Sequence, residues 1–131
     1  MLIYPPQILA EMKNICARYG VLFIADEVMT GFGRTGTLFA CEQGGIVPDL
    51  MCVSKGLTGG YLPLSLVMTR DEIYQAFYSN DVTRGFLHSH SYTGNPLACR
   101  AALATLQIFE EDDVLNTNRV KAERLTKALQ P

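Results

Sequence analysis

The sequence predicts an α/β fold. Three observations lead there: apolar residues at helical spacing near the start, two short continuous apolar runs ending in charged residues, and glycine-rich stretches following both runs. Helix and strand signals alternate along the chain, the pattern of a parallel sheet joined by crossover helices. Three strands are few for such a sheet. The 131 residues are therefore expected to form one partial domain, a segment of a larger one.

Taken in order, Pro5-Pro6 ahead of Gln7 to Met12 sets proline in the first turn of a helix. Ile8, Met12, Ile15 and Cys16 keep one face of it, and Gly20 is a natural stop. Val21 to Ala25 is a short apolar run suited to a buried strand, closing on Asp26-Glu27. The glycine-rich loop Gly31 to Gly36 follows, then a short helix around Leu38 to Glu42. Leu50 to Val53 is the second strand and ends in Ser54-Lys55. The glycines from Gly56 to Gly60 lead to a third strand, Leu64 to Met68. Asp71-Glu72 then open a short helix, where the helix dipole favours acids. Tyr74, Phe77 and Tyr78 stand at helical spacing in it and are expected to be packing residues.

Residues 79 to 95 are polar and irregular, a loop. Asn95-Pro96 starts a helix with good cap chemistry, and Leu97 to Glu110 is apolar on most faces, so that this helix is expected to be largely buried. The acidic run Glu110 to Asp113 reads as a solvated junction. Beyond it, Asp112 to Leu129 is a more polar helix with Ala122, Leu125 and Leu129 on one side.

Composition narrows the function classes. The chain is 48% hydrophobic and 18% charged with a formal net charge of -2, which gives no reason to expect nucleic acid or an anionic membrane as partner. No apolar run approaches bilayer length, and Met1 to Pro6 lacks the pattern of a secretory signal. Cys16, Cys41, Cys52 and Cys99 are scattered without a C-x-x-C pair, which argues against zinc and fits reduced thiols of a cytoplasmic protein. His88 and His90 are the only histidines to add to them, so no metal site is expected.

In open α/β sheets, ligands bind beyond the carboxyl ends of the strands. Two strands here end in Asp26 and in Lys55, and neighbouring parallel strands would bring those ends within one ligand's reach. A solvated acid and lysine at strand ends would look the same in sequence. The functional alternative has a chemical fit: a cofactor with a pyridine ring needs an acid at its ring nitrogen and an amine for its aldehyde. The carboxylate keeps the ring nitrogen protonated, while the lysine forms a Schiff base and later moves the proton. A partly buried lysine suits both tasks, because desolvation lowers its pKa.

The residues Phe23-Ile24-Ala25-Asp26-Glu27-Val28-x-x-Gly31-Phe32-Gly33-Arg34-x-Gly36, followed by Asp49-Leu50-Met51-x-x-Ser54-Lys55-x-x-x-Gly59-Gly60, resemble the signature of class III aminotransferases, and the resemblance runs over essentially the whole chain. Asp26 to Gly36, Leu57 to Pro63 and His90 to Cys99 resemble more narrowly the adenosylmethionine-8-amino-7-oxononanoate aminotransferases. That family makes 7,8-diaminononanoate for biotin synthesis and takes its amino group from S-adenosylmethionine.

The resemblance implies the large domain of a fold type I transferase, a three-layer α/β/α arrangement with a mostly parallel sheet and pyridoxal 5'-phosphate as cofactor. It implies that Lys55 holds the cofactor, Asp26 pairs with its ring nitrogen and Val28 packs on its ring face. His90 and Ser91 match a segment that contacts the cofactor phosphate across a homodimer interface, His90 through its backbone N–H and Ser91 through its hydroxyl. Ser89 stands where the family has glycine beside the substrate, and its added hydroxymethyl group crowds that position. Arg34 lies near the site without a catalytic role. The implied partners are small-molecule substrates, an amino donor and a keto acid acceptor.

The resemblance also implies an earlier segment with further phosphate and substrate contacts, and a later small domain with an arginine for the substrate carboxylate. Residues 1 to 131 alone are accordingly expected to be an incomplete enzyme with no activity of their own. Another class III ω-amino acid or diamine aminotransferase is the second reading.

A literal G-x-G-x-x-G at Gly31 to Gly36 raises a dinucleotide-binding alternative, with Asp49 as the ribose contact. Asp26 to Thr30 intervene where that fingerprint needs a tight turn, only a short helix fits before Gly44-Gly45, and Asp49 opens the next strand when it should end it. A phosphate-binding P-loop fails as well, because Lys55 lacks the earlier glycine at the required spacing.

Overall fold

A computed structural model describes residues 2 to 130. Helix α1, Pro6–Arg18, starts with proline in its first turn and is followed after Tyr19 by Gly20, whose φ of 64° takes the left-handed conformation that lets the chain reverse. Strand β1, Ile24–Asp26, and strand β2, Leu50–Val53, pair in parallel with Ile24 opposite Leu50 and Asp26 opposite Cys52. The short helix α2, Ala40–Gln43, lies between them in sequence. Strand β3, Leu66–Thr69, is followed by α3, Asp71–Phe77, and the chain closes with α4, Pro96–Glu111, and α5, Val114–Leu129. Two 3₁₀ turns, Lys55–Thr58 and Val82–Arg84, complete the elements.

The α/β class is as expected, and three details differ from the sequence reading. β1 begins at Ile24, whereas the apolar run begins at Val21; the partner strand is preceded by Pro48, which has no N–H to extend the ladder. The sheet order is β1-β2-β3, but β3 runs antiparallel to β2, with Cys52 opposite Val67. The connection explains this. Ser54 Oγ donates to Leu64 O at 2.7 Å and Thr58 Oγ1 to Leu62 O at 2.5 Å, folding residues 54 to 64 back beside β2, where a parallel partner would need a crossover over the sheet.

The third difference is α4. Only Ala98 and Ala102 are buried, while Leu97 and Leu103 are exposed, because among the described residues α4 packs mainly on the Lys55–Thr58 turn, with Phe109 against the glycine-rich loop and a smaller contact to α5.

The core consists of two small clusters. Phe23, Ala25 and Cys41 pack with Leu9, Cys16 and Ile46 of α1 and the α2 loop; Val53, Leu57 and Ala102 pack with Phe32, Phe39 and Leu64. Side chains alternate along a strand, so Ala25, Met51 and Val53 share the face that the helices cover. Ile24, Asp26 and Val67 lie on the opposite face, all exposed. The described residues thus build the sheet and one helical layer.

Two buried acids organise this framework. Asp49 receives Lys13 Nζ at 2.6 Å, the Phe23 N–H at 2.7 Å and Arg70 Nη2 at 2.9 Å, tying α1, β1 and the end of β3 together. Its carboxyl is held below the usual carboxylate range, first by the Lys13 hydrogen bond and then by the Phe23 N–H. With these partners at the start of β2, Asp49 is not a ribose ligand, which removes the dinucleotide alternative.

Glu27 is the second. Its carboxylate accepts from the Ala40 N–H at 3.1 Å, the Cys41 N–H at 2.8 Å and the Thr30 hydroxyl, so it caps α2 from 13 residues away.

Candidate active site

The parallel register sets the geometry. Because Asp26 pairs with Cys52, the residues that follow both strands leave the sheet at the same end, and Lys55 is three positions beyond Cys52. Asp26 is exposed on the uncovered face. Its Oδ1 accepts the Val28 N–H at 3.0 Å, a local turn that fixes the carboxylate, and among the described residues no donor reaches its other oxygen. Val28 is half-buried in the same stretch.

Lys55 opens the 3₁₀ turn with φ 31°, one of two non-glycine residues in the left-handed region among the described residues; the other is Phe32 at 58°. Such backbone costs of order 1–3 kcal/mol and persists where the surroundings over-determine it, most often at functional sites. The surroundings here are specific. A Cβ on Gly56 would lie 2.7 Å from Phe32 Cβ and 3.0 Å from its Cγ and Cδ2, so only glycine lets the loop and the turn meet. On the other side Leu57 is buried against α4, whose small Ala98 and Ala102 allow close approach. Below the turn, the Leu57 N–H donates to Ser54 O at 2.8 Å.

The glycine-rich loop is built to hold Phe32. Gly31 has Glu27 O at 2.9 Å from where a Cβ would stand, and Gly33, at φ 84°, packs on Leu115 and Phe109. The Phe32 ring meets Phe39 edge-on at a centroid distance of 5.7 Å and Phe109 at 6.3 Å. A depression of about 540 Å³ is formed by the outer side of this loop and α5 and is lined by Arg34, Arg119 and Glu123. It excludes Lys55 and Asp26, and Arg34 lies there, exposed.

The structure brings Asp26, Val28 and Lys55 to one end of the sheet, and Ser89, His90 and Ser91 lie in a stretch exposed throughout from residue 81 to 94. There the His90 N–H donates to Thr93 Oγ1 at 3.0 Å and His90 Nδ1 accepts the Tyr92 N–H at 3.1 Å. In this turn the His90 N–H is bonded to Thr93 Oγ1 within its own loop. Lys55 is exposed where partial burial was expected; none of the described residues forms a second layer over the Asp26 face of the sheet.

Sequence reasoning missed Glu27 and Phe32. The signals were present: a second acid directly after the apolar run, followed by Thr30, and the one aromatic residue inside a run of glycines.

Among the described residues, no three His, Cys, Asp or Glu side chains are arranged to hold a metal ion, and no helix is long and apolar enough to cross a membrane.

Comparison with known proteins agrees with this framework. The family model for aminotransferase class-III matches residues 1–131. The chain is 50% identical over 132 aligned residues to the adenosylmethionine-8-amino-7-oxononanoate aminotransferase of Nitratidesulfovibrio vulgaris, covering 100% of this chain and 24% of that protein. The crystal structure of the Methanocaldococcus jannaschii enzyme of the same name superposes with a TM-score of 0.92 at 43% identity, over 99% of this chain and 31% of that one. An amine transaminase from an uncultivated Pseudomonas species, crystallised in a PLP-bound form, superposes at 0.89 with 36% identity, over 98% of this chain and 29% of that one. The chain therefore spans between about a quarter and a third of the proteins it is similar to. With the family model matched from end to end and its fold that of the large domain in these structures, the chain belongs to the class III aminotransferases.

Proposed function

We propose that the protein this chain represents transfers an amino group from S-adenosylmethionine to 8-amino-7-oxononanoate, forming 7,8-diaminononanoate for biotin synthesis, with pyridoxal 5'-phosphate as cofactor. The observation that supports the chemistry is the shared strand end: Asp26 and Lys55 leave parallel neighbours on the same side, with Lys55 held in a left-handed backbone. The substrate choice is supported by likeness to the N. vulgaris and M. jannaschii proteins of that name.

The donor set fits the cofactor. Asp26 has one carboxylate oxygen tied to Val28 and the other without a partner among the described residues, suited to holding a proton at the pyridine nitrogen. Lys55 Nζ is the amine for the aldehyde carbon. With its amine free, Lys55 would be the base that takes a proton from the substrate carbon and returns it. Val28 would pack against the ring. Pyridoxal phosphate, when bound, supplies the electron sink that makes that proton removable.

His90 and Ser91 lie in an exposed turn, and we place them against the cofactor phosphate of a second subunit in a homodimer. In that role Ser91 contributes its hydroxyl, and Ser89 sits beside the substrate. Residues 1 to 131 form the cofactor-binding part of the large domain, inactive without the rest of the enzyme, which accords with the exposure of Lys55. The likeness to an amine transaminase favours one second reading, another ω-amino acid or diamine aminotransferase of the class.

The test is to mix the chain with pyridoxal phosphate, reduce with borohydride and map the adduct. Label on Lys55 alone is expected; label spread equally over Lys13, Lys121 and Lys127 would overturn the cofactor assignment for this chain. In the complete enzyme, amino transfer from S-adenosylmethionine is expected. Transfer from lysine alone would move the assignment to the second reading.

A further inference from the structure

The glycine-rich loop holds more structure than a turn needs. Its aromatic residue, Phe32, takes a left-handed φ of 58°, is wedged between Phe39 and Phe109, and touches the turn carrying Lys55 through Gly56. The two left-handed non-glycine residues of the described chain thus belong to two segments in direct contact. Each would relax toward ordinary backbone if the other were free to move, since neither conformation is intrinsically preferred.

The packing has a direction. Phe32 is fixed from behind by Phe39 and Phe109, and Gly31 and Gly33 are the close approaches that seat it. The Lys55 turn is fixed on its far side by Leu57 against α4, with Val53, Leu57 and Ala102 in one cluster. Gly56 lies between these supports, with no room for a methyl group. Close-packed contacts of this kind transmit strain and do not absorb it.

We propose that Phe32 is the positioning residue for Lys55: its side chain, pressed on Gly56, holds the turn in the left-handed conformation that presents the Lys55 amine beyond the strand end. This rests on the assignment of Lys55 to the cofactor, and it gives the glycine-rich loop a role in that site without any contact to the ligand. Phe32 acts through backbone geometry alone.

Two readouts test it on the full chain. The first is a thermal cycle that needs no cofactor. Lys55→Gly relieves the left-handed backbone and raises Tm by about 4 °C when Phe32 is present. In a Phe32→Ala background the same change raises Tm by less than half as much, because the turn has already relaxed. Phe32→Leu keeps three carbons against Gly56 and retains the full shift.

The second readout is selectivity of the borohydride-trapped pyridoxal phosphate label. The excess on Lys55 over Lys121 falls about tenfold in Gly56→Ala and in Phe32→Ala, the factor that strain of this size is worth, and is kept in Phe32→Leu. Equal Tm shifts for Lys55→Gly with and without Phe32 would overturn the proposal, whatever the labelling shows. Coupled Tm shifts in a chain whose Lys55 is never preferentially labelled would retain the positioning and overturn only the cofactor assignment. Should Phe32→Ala not fold, the cycle run in Gly56→Ala decides in the same way, since its added methyl forces Phe32 and the turn apart.

Discussion

Replacing Glu27 by alanine isolates what one buried carboxylate does for this fold. The side chain is 2% exposed and accepts the Ala40 N–H at 3.1 Å, the Cys41 N–H at 2.8 Å and the Thr30 hydroxyl. Alanine leaves two backbone donors of α2 without partners, the Cys41 N–H buried and the Ala40 N–H partly so. Each such donor costs about 1–3 kcal/mol, so the loss is about 4 kcal/mol. A chain this size has roughly 7–20 kcal/mol in total, so the change removes a large share.

Urea unfolding followed by far-UV circular dichroism reads the loss as a midpoint lowered by about 2 M. Hydrogen exchange localises it, with the amides of Ala40 and Cys41 moving from slow to fast. Glu27→Gln keeps one acceptor and falls between. A midpoint within 0.3 M of the wild-type value (about 0.6 kcal/mol), or slow amides at both positions, would show that Glu27 does not hold α2 to the end of β1.

The same carboxylate shapes a nearby thiol. Burial first, and then its hydrogen bond to Glu27, push Cys41 up from an ordinary 9.0 to about 12. At pH 8 an alkylating agent is therefore expected to modify exposed Cys99 first and Cys41 last, which timed mass spectrometry reads, and Glu27→Ala should speed the reaction at Cys41. Because the folded thiol keeps its proton longer than the unfolded one, its contribution to stability is intact below about pH 9 and is lost as pH rises toward the folded value. Asp49 runs the opposite way. Its folded pKa is depressed by Lys13 and the Phe23 N–H, so the stability it contributes is present above the unfolded value of about 3.9 and is lost as pH falls through the lower folded value. Acid titrations by circular dichroism should show Asp49→Asn less stable at pH 7 and closer to wild type at pH 2.

Local chemistry was enough to foresee much of this protein. Proline in a first turn, glycine at a helix end, Asn95 as a cap and the apolar runs into Asp26 and Lys55 act over a few residues, and α1, α4 and the parallel β1-β2 pair appear as those signals indicate. The long discontinuous string from Phe23 to Gly60 was legible for the same reason: residue types at set spacing stay the same whatever packs around them.

Tertiary contact decided the rest. The direction of β3 depended on Ser54 and Thr58 reaching carbonyls ten and four residues away. The roles of Glu27 and Asp49 depended on which donors long loops carried to them, since an acid in sequence looks alike whether it is solvated or caps a helix. Gly56 is one glycine among several until Phe32 is seen against it. Burial, strain and hydrogen-bond partners are properties of the neighbours a residue acquires, and those neighbours are set by the fold as a whole.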